Sequence, residues 1–168
     1  MHYKDFYSHL VLENLQSNIS DLYVAIDALN SHSSYDDEQV LPSKQPKMED
    51  LWYEDGTNGF DIYVDRDGIQ NAGPHNLHFF NNKDEYIGSC NLGKNGNSVI
   101  INTIGFTRNA RGYGYGMEFY LWLLDDKKYS ITSDKELSDG AAAIYKKLLK
   151  THKGTVREDG RIIVYPKF

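Results

Sequence analysis

The segment Arg111-Gly112-Tyr113-Gly114-Tyr115-Gly116 has the residue types and spacing to hold an anion. It follows a run, Ser98 to Phe106, whose Val99, Ile100, Ile101 and Ile104 suit a largely buried strand. It precedes Met117, Tyr120, Leu121 and Leu124, apolar residues that repeat at helical spacing. A strand, a glycine loop and a helix in that order aim unpaired backbone N–H groups and the positive end of the helix at an anion. Glycine lets the backbone approach phosphate oxygens closely and turn where other residues resist. A diphosphate is the expected guest. A Walker-type loop requires Lys-Ser/Thr after its last glycine, and none follows Gly116. A dinucleotide loop requires a third glycine where this chain has Met117. Neither an ATP loop nor an NAD loop fits.

The other reactive side chains form no constellation. Cys90 is the lone cysteine, which excludes an internal disulfide and a cysteine-based zinc site. Its place between Gly88 and Leu92 reads as a buried, inert thiol. His75 and His78 are three apart in a strand-like run and project to opposite faces, which argues against a shared metal. With Glu85, they read as surface or turn residues beside strands. Asp65 and Asp67 ahead of Gly68 begin like a calcium loop, but Pro74 stands where a carboxylate is needed, so a hairpin turn is expected and no metal.

The elements that must position the glycine loop are legible as patterns. Leu12, Leu15, Ile19, Leu22, Ile26 and Leu29 alternate spacings of three and four, a helical stripe, with Ser20 or Asp21 as a cap if it breaks near Asn18. Residues 31–50 lack periodicity and carry Pro42 and Pro46, a loop long enough to be functional or mobile. Short strands then follow at Phe60 to Val64, Asn76 to Phe80 and Tyr86 to Leu92, separated by turns at Asp67-Gly68 and at 81–84, an antiparallel meander. Gly93 to Asn97 reads as a further turn into the buried strand. After the glycine loop and its helix come a short strand, Tyr129 to Thr132, and a helix with Ala141, Ile144, Tyr145, Leu148 and Leu149 on one face. Ser138 or Asp134 is its expected cap. Gly154 to Tyr165 is a hairpin with Asp159-Gly160 at its tip.

The 168 residues suit one domain with its own core. No basic segment followed by an apolar run opens the chain, and no stretch is long and apolar enough for a membrane span, so a soluble, cytoplasmic protein without membrane partners is expected. The net charge of −6 disfavours nucleic acid. That charge is divided: residues 1–106 carry 6 Lys+Arg against 16 Asp+Glu, whereas residues 107–168 carry 12 against 8. The acidic part suits a cationic substrate and the basic part an anionic one.

Arg111, Gly114 and Gly116 match the Arg/Gln-x-x-Gly-x-Gly/Ala signature of the GNAT N-acetyltransferases, with the common extra glycine at Gly112. Ala141 and Tyr145, in Ala-Ala-Ala-Ile-Tyr-Lys-Lys-Leu, stand where that family has its alanine and tyrosine. The resemblance covers residues 76–165. It implies an α/β (α+β) fold, a central mixed, mostly antiparallel sheet flanked by helices, over a single domain of residues 1–168. Residues 1–30 would be its helical segment and 31–50 its mobile loop.

Acetyl-CoA is the co-substrate so implied, with no metal. The N–H groups of Gly112, Tyr113, Gly114, Tyr115 and Gly116 would hold its pyrophosphate, with Arg108 or Arg111 as charged donors. The main chain at Ile104, Gly105 and Phe106 would line the pantetheine arm and polarise the thioester carbonyl. Tyr145 would protonate the departing thiolate. The acceptor would be a small-molecule or protein amine. Two departures from the family pattern are Asp139, where Asn is common, and Lys150 to Gly154, where Gly-Phe is common. They favour the alternative of an inactive GNAT-fold binding or structural protein, with the Leu12 to Leu29 stripe as the surface for a homo-oligomer or protein partner. The chain also resembles divergent bacteriophage-encoded members, which implies a host cytoplasm.

Overall fold

The computed structural model describes residues 18–31, 33, 44–65 and 68–167. Leu12, Leu15 and most of the 31–50 loop lie outside them. The helix α1 spans Ile19–Ser31, and strands β1 (Trp52–Gly56), β2 (Phe60–Val64), β3 (Gly73–Asn81), β4 (Tyr86–Asn95) and β5 (Ser98–Phe106) follow. The helix α2 (Tyr115–Leu121) continues through a wider turn, Trp122–Asp126, and is followed by β6 (Ser130–Thr132), α3 (Asp139–Leu148), β7 (Gly154–Val156) and β8 (Ile162–Val164).

The eight strands of the described residues join one sheet in the order β1-β2-β3-β4-β5-β6-β8-β7, antiparallel throughout except for the parallel pair β5 and β6. This is the expected class: a mixed, mostly antiparallel sheet with helices packed against it. A parallel pair needs a crossover, and α2 supplies it. It buries Phe119, Tyr120, Trp122, Leu123 and Leu124, with Phe119 packed on Phe79 of β3 at 4.9 Å between ring centroids. Alternation along β2 and β3 puts Phe60, Ile62, Leu77 and Phe79 into the same core.

Several elements differ from expectation. β1 was not foreseen, because Trp52 and Tyr53 are exposed on an edge strand and leave no hydrophobic alternation. It is anchored through Asp55, whose Oδ2 accepts from Trp122 Nε1 at 2.9 Å. β4 runs on through Gly93 and Lys94, which pair with β5, so the turn tightens to Gly96-Asn97. Asn18, not Ser20 or Asp21, caps α1: its Oδ1 accepts from Asp21 N at 2.9 Å. Ser138 caps α3 by accepting from Ala141 N.

The stripe on α1 faces the protein's own α3, β7 and β8. Leu22 and Ile26 are buried. Tyr23 Oη donates to Lys146 O at 3.2 Å, Asp27 pairs with Lys146 at 2.6 Å, and Asn30 Nδ2 donates to Leu137 O at 2.9 Å and Asp139 Oδ1 at 3.0 Å. α1 therefore holds the connection between β6 and α3 in place.

Candidate active site

The site begins with a defect in β5. Asn91 pairs with Thr103 and Leu92 with Ile101, so Asn102 is an extra residue on β5, a bulge that bends the strand. Asn102 Nδ2 donates to Asn91 Oδ1, and Asn91 Nδ2 in turn donates to Asn76 Oδ1, a short amide ladder that pins the bulge across three strands. Before the bulge, Ser98, Val99 and Ile100 pair with β6. From Ile101 through the bulge to Phe106, no strand among the described residues lies beside β5 on that side. β6 ends at Thr132, and Ser133 turns the chain toward β8: its N–H donates to Ile162 O and its Oγ accepts from Ile162 N. The gap opened between β5 and the start of α3 is the groove.

Two cavities lie along it. The larger, about 280 Å³, is lined by the β5 end (Ile104, Gly105, Phe106), the loop (Arg111, Gly112, Gly114, Tyr115, Gly116) and one face of α3 (Gly140, Ala141, Ile144, Lys147). The smaller, about 40 Å³, shares Ile104, Ser138 and Ala141 with it and reaches Tyr120, Tyr145, Asp134 and Glu136.

The glycine loop is shaped by its backbone. Gly112 and Gly114 have φ of +87° and +77°, a region that L side chains resist. Gly116 serves packing instead: a Cβ there would meet Ile144 Cδ1 at 2.9 Å. Arg111 Nε donates to Phe106 O at 3.3 Å, so its guanidinium ties the loop back to the end of β5.

Of the residues singled out from the sequence, Ile104, Gly105, Phe106, Arg111, Gly112, Gly114, Tyr115 and Gly116 line the larger cavity. Arg108 and Tyr113 do not; both side chains are exposed. Tyr145 lies at the smaller cavity, 1% exposed, and its hydroxyl has no hydrogen-bond partner of acceptable geometry. Burial first, and then the neighbouring Tyr120 hydroxyl and the more distant Cys90 and Asp134, push its pKa well above the usual tyrosine value. Cys90 is buried, and burial pushes its thiol up as well.

Lys147, Ile144 and Gly140 were not foreseen as lining residues. Their spacing of three and four, one residue round the helix from the Ala141 and Tyr145 stripe, was the available signal. Asp134 and Glu136 carried no such signal, since the loop before α3 has no periodicity.

His75 and His78 are not surface residues, as expected from the sequence, but buried. Each has a local acceptor for one ring nitrogen, which offsets part of the cost of burial: His75 Nε2 lies 2.7 Å from Asn71 O and His78 Nε2 lies 2.9 Å from Asp65 Oδ1, while His78 Nδ1 is buried without a partner. Among the described residues no group of three His, Cys, Asp or Glu is placed to hold a metal ion, and no helix is long and apolar enough to cross a membrane.

No family model matches the chain, and no curated protein matches it. Among solved structures, one described as a streptothricin acetyltransferase from Bacillus anthracis strain Ames, in complex with acetyl coenzyme A, aligns with 74% of this chain and 91% of its own. The two are 12% identical, with a TM-score of 0.37. Superposition at that level is too loose to carry residue roles from one protein to the other.

Proposed function

We propose that this chain binds acetyl-CoA in the groove beside β5 and transfers the acetyl group to an amine. One observation carries the reading: a single groove has the glycine loop at one end and, at the other, a buried tyrosine hydroxyl with no partner. Buried polar groups left unpaired are rare in native proteins and call for an explanation. A thioester sulfur arriving beside Tyr145 supplies one.

The charges along the groove run the same way. Arg111 and Lys147 lie at the loop end, suited to phosphates, and Asp134 and Glu136 at the Tyr145 end, suited to an ammonium group. The backbone of Ile104 to Phe106, which no described strand pairs on the side away from β4, would serve the pantetheine amides and the thioester carbonyl. When bound, acetyl-CoA supplies an acyl group already activated as a thioester. Tyr145, like any tyrosine, is protonated at neutral pH, and its hydroxyl would donate to the departing sulfur. Asp134, which lines the smaller cavity, would take the proton that the amine must lose and pass it to water.

Thermal unfolding with acetyl-CoA, CoA and ATP tests the reading. Ligand at about 100 times its dissociation constant adds roughly 2.7 kcal/mol, a rise of about 5–11 °C for a chain of this size. Both CoA species should raise the melting temperature and ATP should not. No shift with any of the three would make the glycine loop a structural turn and leave the partner-binding alternative in first place.

A further inference from the structure

We propose that the ring of Tyr113 is the platform on which the nucleoside base of CoA stacks, outside the groove and on the solvent side of the glycine loop. The proposal rests on the CoA reading above and deepens it. Gly112 and Gly114 line the larger cavity, but Tyr113 between them does not, so its ring projects away from the groove. The two cavities along the groove, about 280 and about 40 Å³, sit at the low end of the roughly 300–1,000 Å³ of sites that enclose a drug-sized ligand, and CoA is larger than such a ligand. With the arm and the near end of the diphosphate in the groove, the nucleoside lies over its rim.

At that rim the chain exposes an aromatic ring. Tyr113 is 71% exposed, the most open large hydrophobic residue among those described. It is nevertheless held in place: its ring stacks on Tyr115, centroids 5.7 Å apart and planes 23° from parallel. Tyr115 in turn packs edge-on against Phe60 at 5.4 Å, which ties the pair to the core. One face of Tyr113 is thus supported and the other is bare to water. A purine on the bare face would extend the stack from two rings to three and remove apolar surface from water. Stacking of this kind reads the flat face of a base and needs no hydrogen-bond code.

The test is isothermal titration of the full chain with CoA and, separately, with 4′-phosphopantetheine, which lacks the nucleoside. Tyr113→Ala should weaken CoA about ten-fold, within the range for losing one base–aromatic stack, and leave 4′-phosphopantetheine unchanged. Tyr113→Phe should bind both as the unaltered chain does. Tyr113→Lys, long but without a ring, should behave as the alanine variant. Equal weakening of both ligands in Tyr113→Ala would place the ring over the arm and overturn the proposal, as would no change in either. If the unaltered chain binds neither ligand, the CoA reading falls and this proposal with it. If it binds CoA and Tyr113→Ala binds it equally well, only the stacking proposal falls.

Discussion

At the scale of single residues, Tyr145 and Gly116 make separable predictions. Tyr145→Phe removes a buried hydroxyl that has no partner in the free protein. The variant should therefore melt no lower than the unaltered chain, and up to about 1 kcal/mol more stably, because nothing is left unpaired. Acetyl transfer, followed by release of the CoA thiol in the presence of a panel of amines, should fall by a factor on the order of 10²–10⁴. A residue that merely packs would show the same stability with unchanged turnover, so turnover is the reading that decides its role. Because the pKa of Tyr145 is raised, the rate should show no falling limb from this group as pH rises to about 10. Gly116→Ala places a methyl group against Ile144 Cδ1, the flexible end of a side chain that lines the groove. Alanine gains roughly 1 kcal/mol of helix propensity over glycine, which offsets the crowding. Stability should change little, whereas CoA affinity should drop as Ile144 swings into the cavity. Calorimetry and titration on one preparation check both.

At the scale of elements, β1 depends on a polar anchor rather than on apolar burial. The indole of Trp122 is the main reason the Asp55 carboxyl sits below the usual range. Burial opposes that shift, and the Gly56 N–H and Lys127 add to it. A carboxyl depressed in the folded state stabilises fully above its unfolded pKa, near 3.9, and loses that contribution as pH falls through the lower folded value. Asp55→Asn should thus be less stable at pH 7 and the difference should narrow below about pH 3.9. The side chain is 43% exposed, so the gap at pH 7 should be under about 1 kcal/mol. Chemical denaturation at pH 7 and at pH 3 measures it; a gap that widened in acid would refute the assignment. α3 depends on its first turn: Ser138 accepts from Ala141 N, Asp139 complements the positive end of the helix, and Lys146 and Lys147 complement the other.

At the scale of the molecule, α1 belongs to the core. Leu22 lies against Leu149 and β7, where a Cβ added at Gly154 would meet both leucines. Leu22→Ala should cost about 2–5 kcal/mol, as large-to-small core changes do, and lower the melting temperature. Val24→Asp, at a position 67% exposed on the same helix, should leave the free energy of unfolding within about half a kcal/mol of the original. Should Val24→Asp instead lower the mass seen in analytical ultracentrifugation, the outer face of α1 would be a contact between copies. The stripe positions Leu12 and Leu15 lie outside the described residues.

The sequence by itself determined the order of most elements and the place of the glycine loop. These follow from periodicity and from residues that only certain backbones tolerate: the Ser98–Phe106 strand, the Gly112 and Gly114 turns, the Ser138 cap and the Asp159-Gly160 hairpin. Local chemistry of that kind is written in neighbouring residues. What only the tertiary structure decided depends on residues far apart in the chain. The edge strand β1 owes its place to an indole 67 residues away. His78 is buried because Asp65, on the chain leading out of β2, supplies an acceptor. The groove exists because β6 leaves β5 after Thr132 while β5 runs on through the bulge at Asn102, and the Tyr145 hydroxyl is buried without a hydrogen bond of acceptable geometry. Neither a register shift nor an orphaned hydroxyl has a signature in one stretch of sequence, since each is a property of how strands and helices meet.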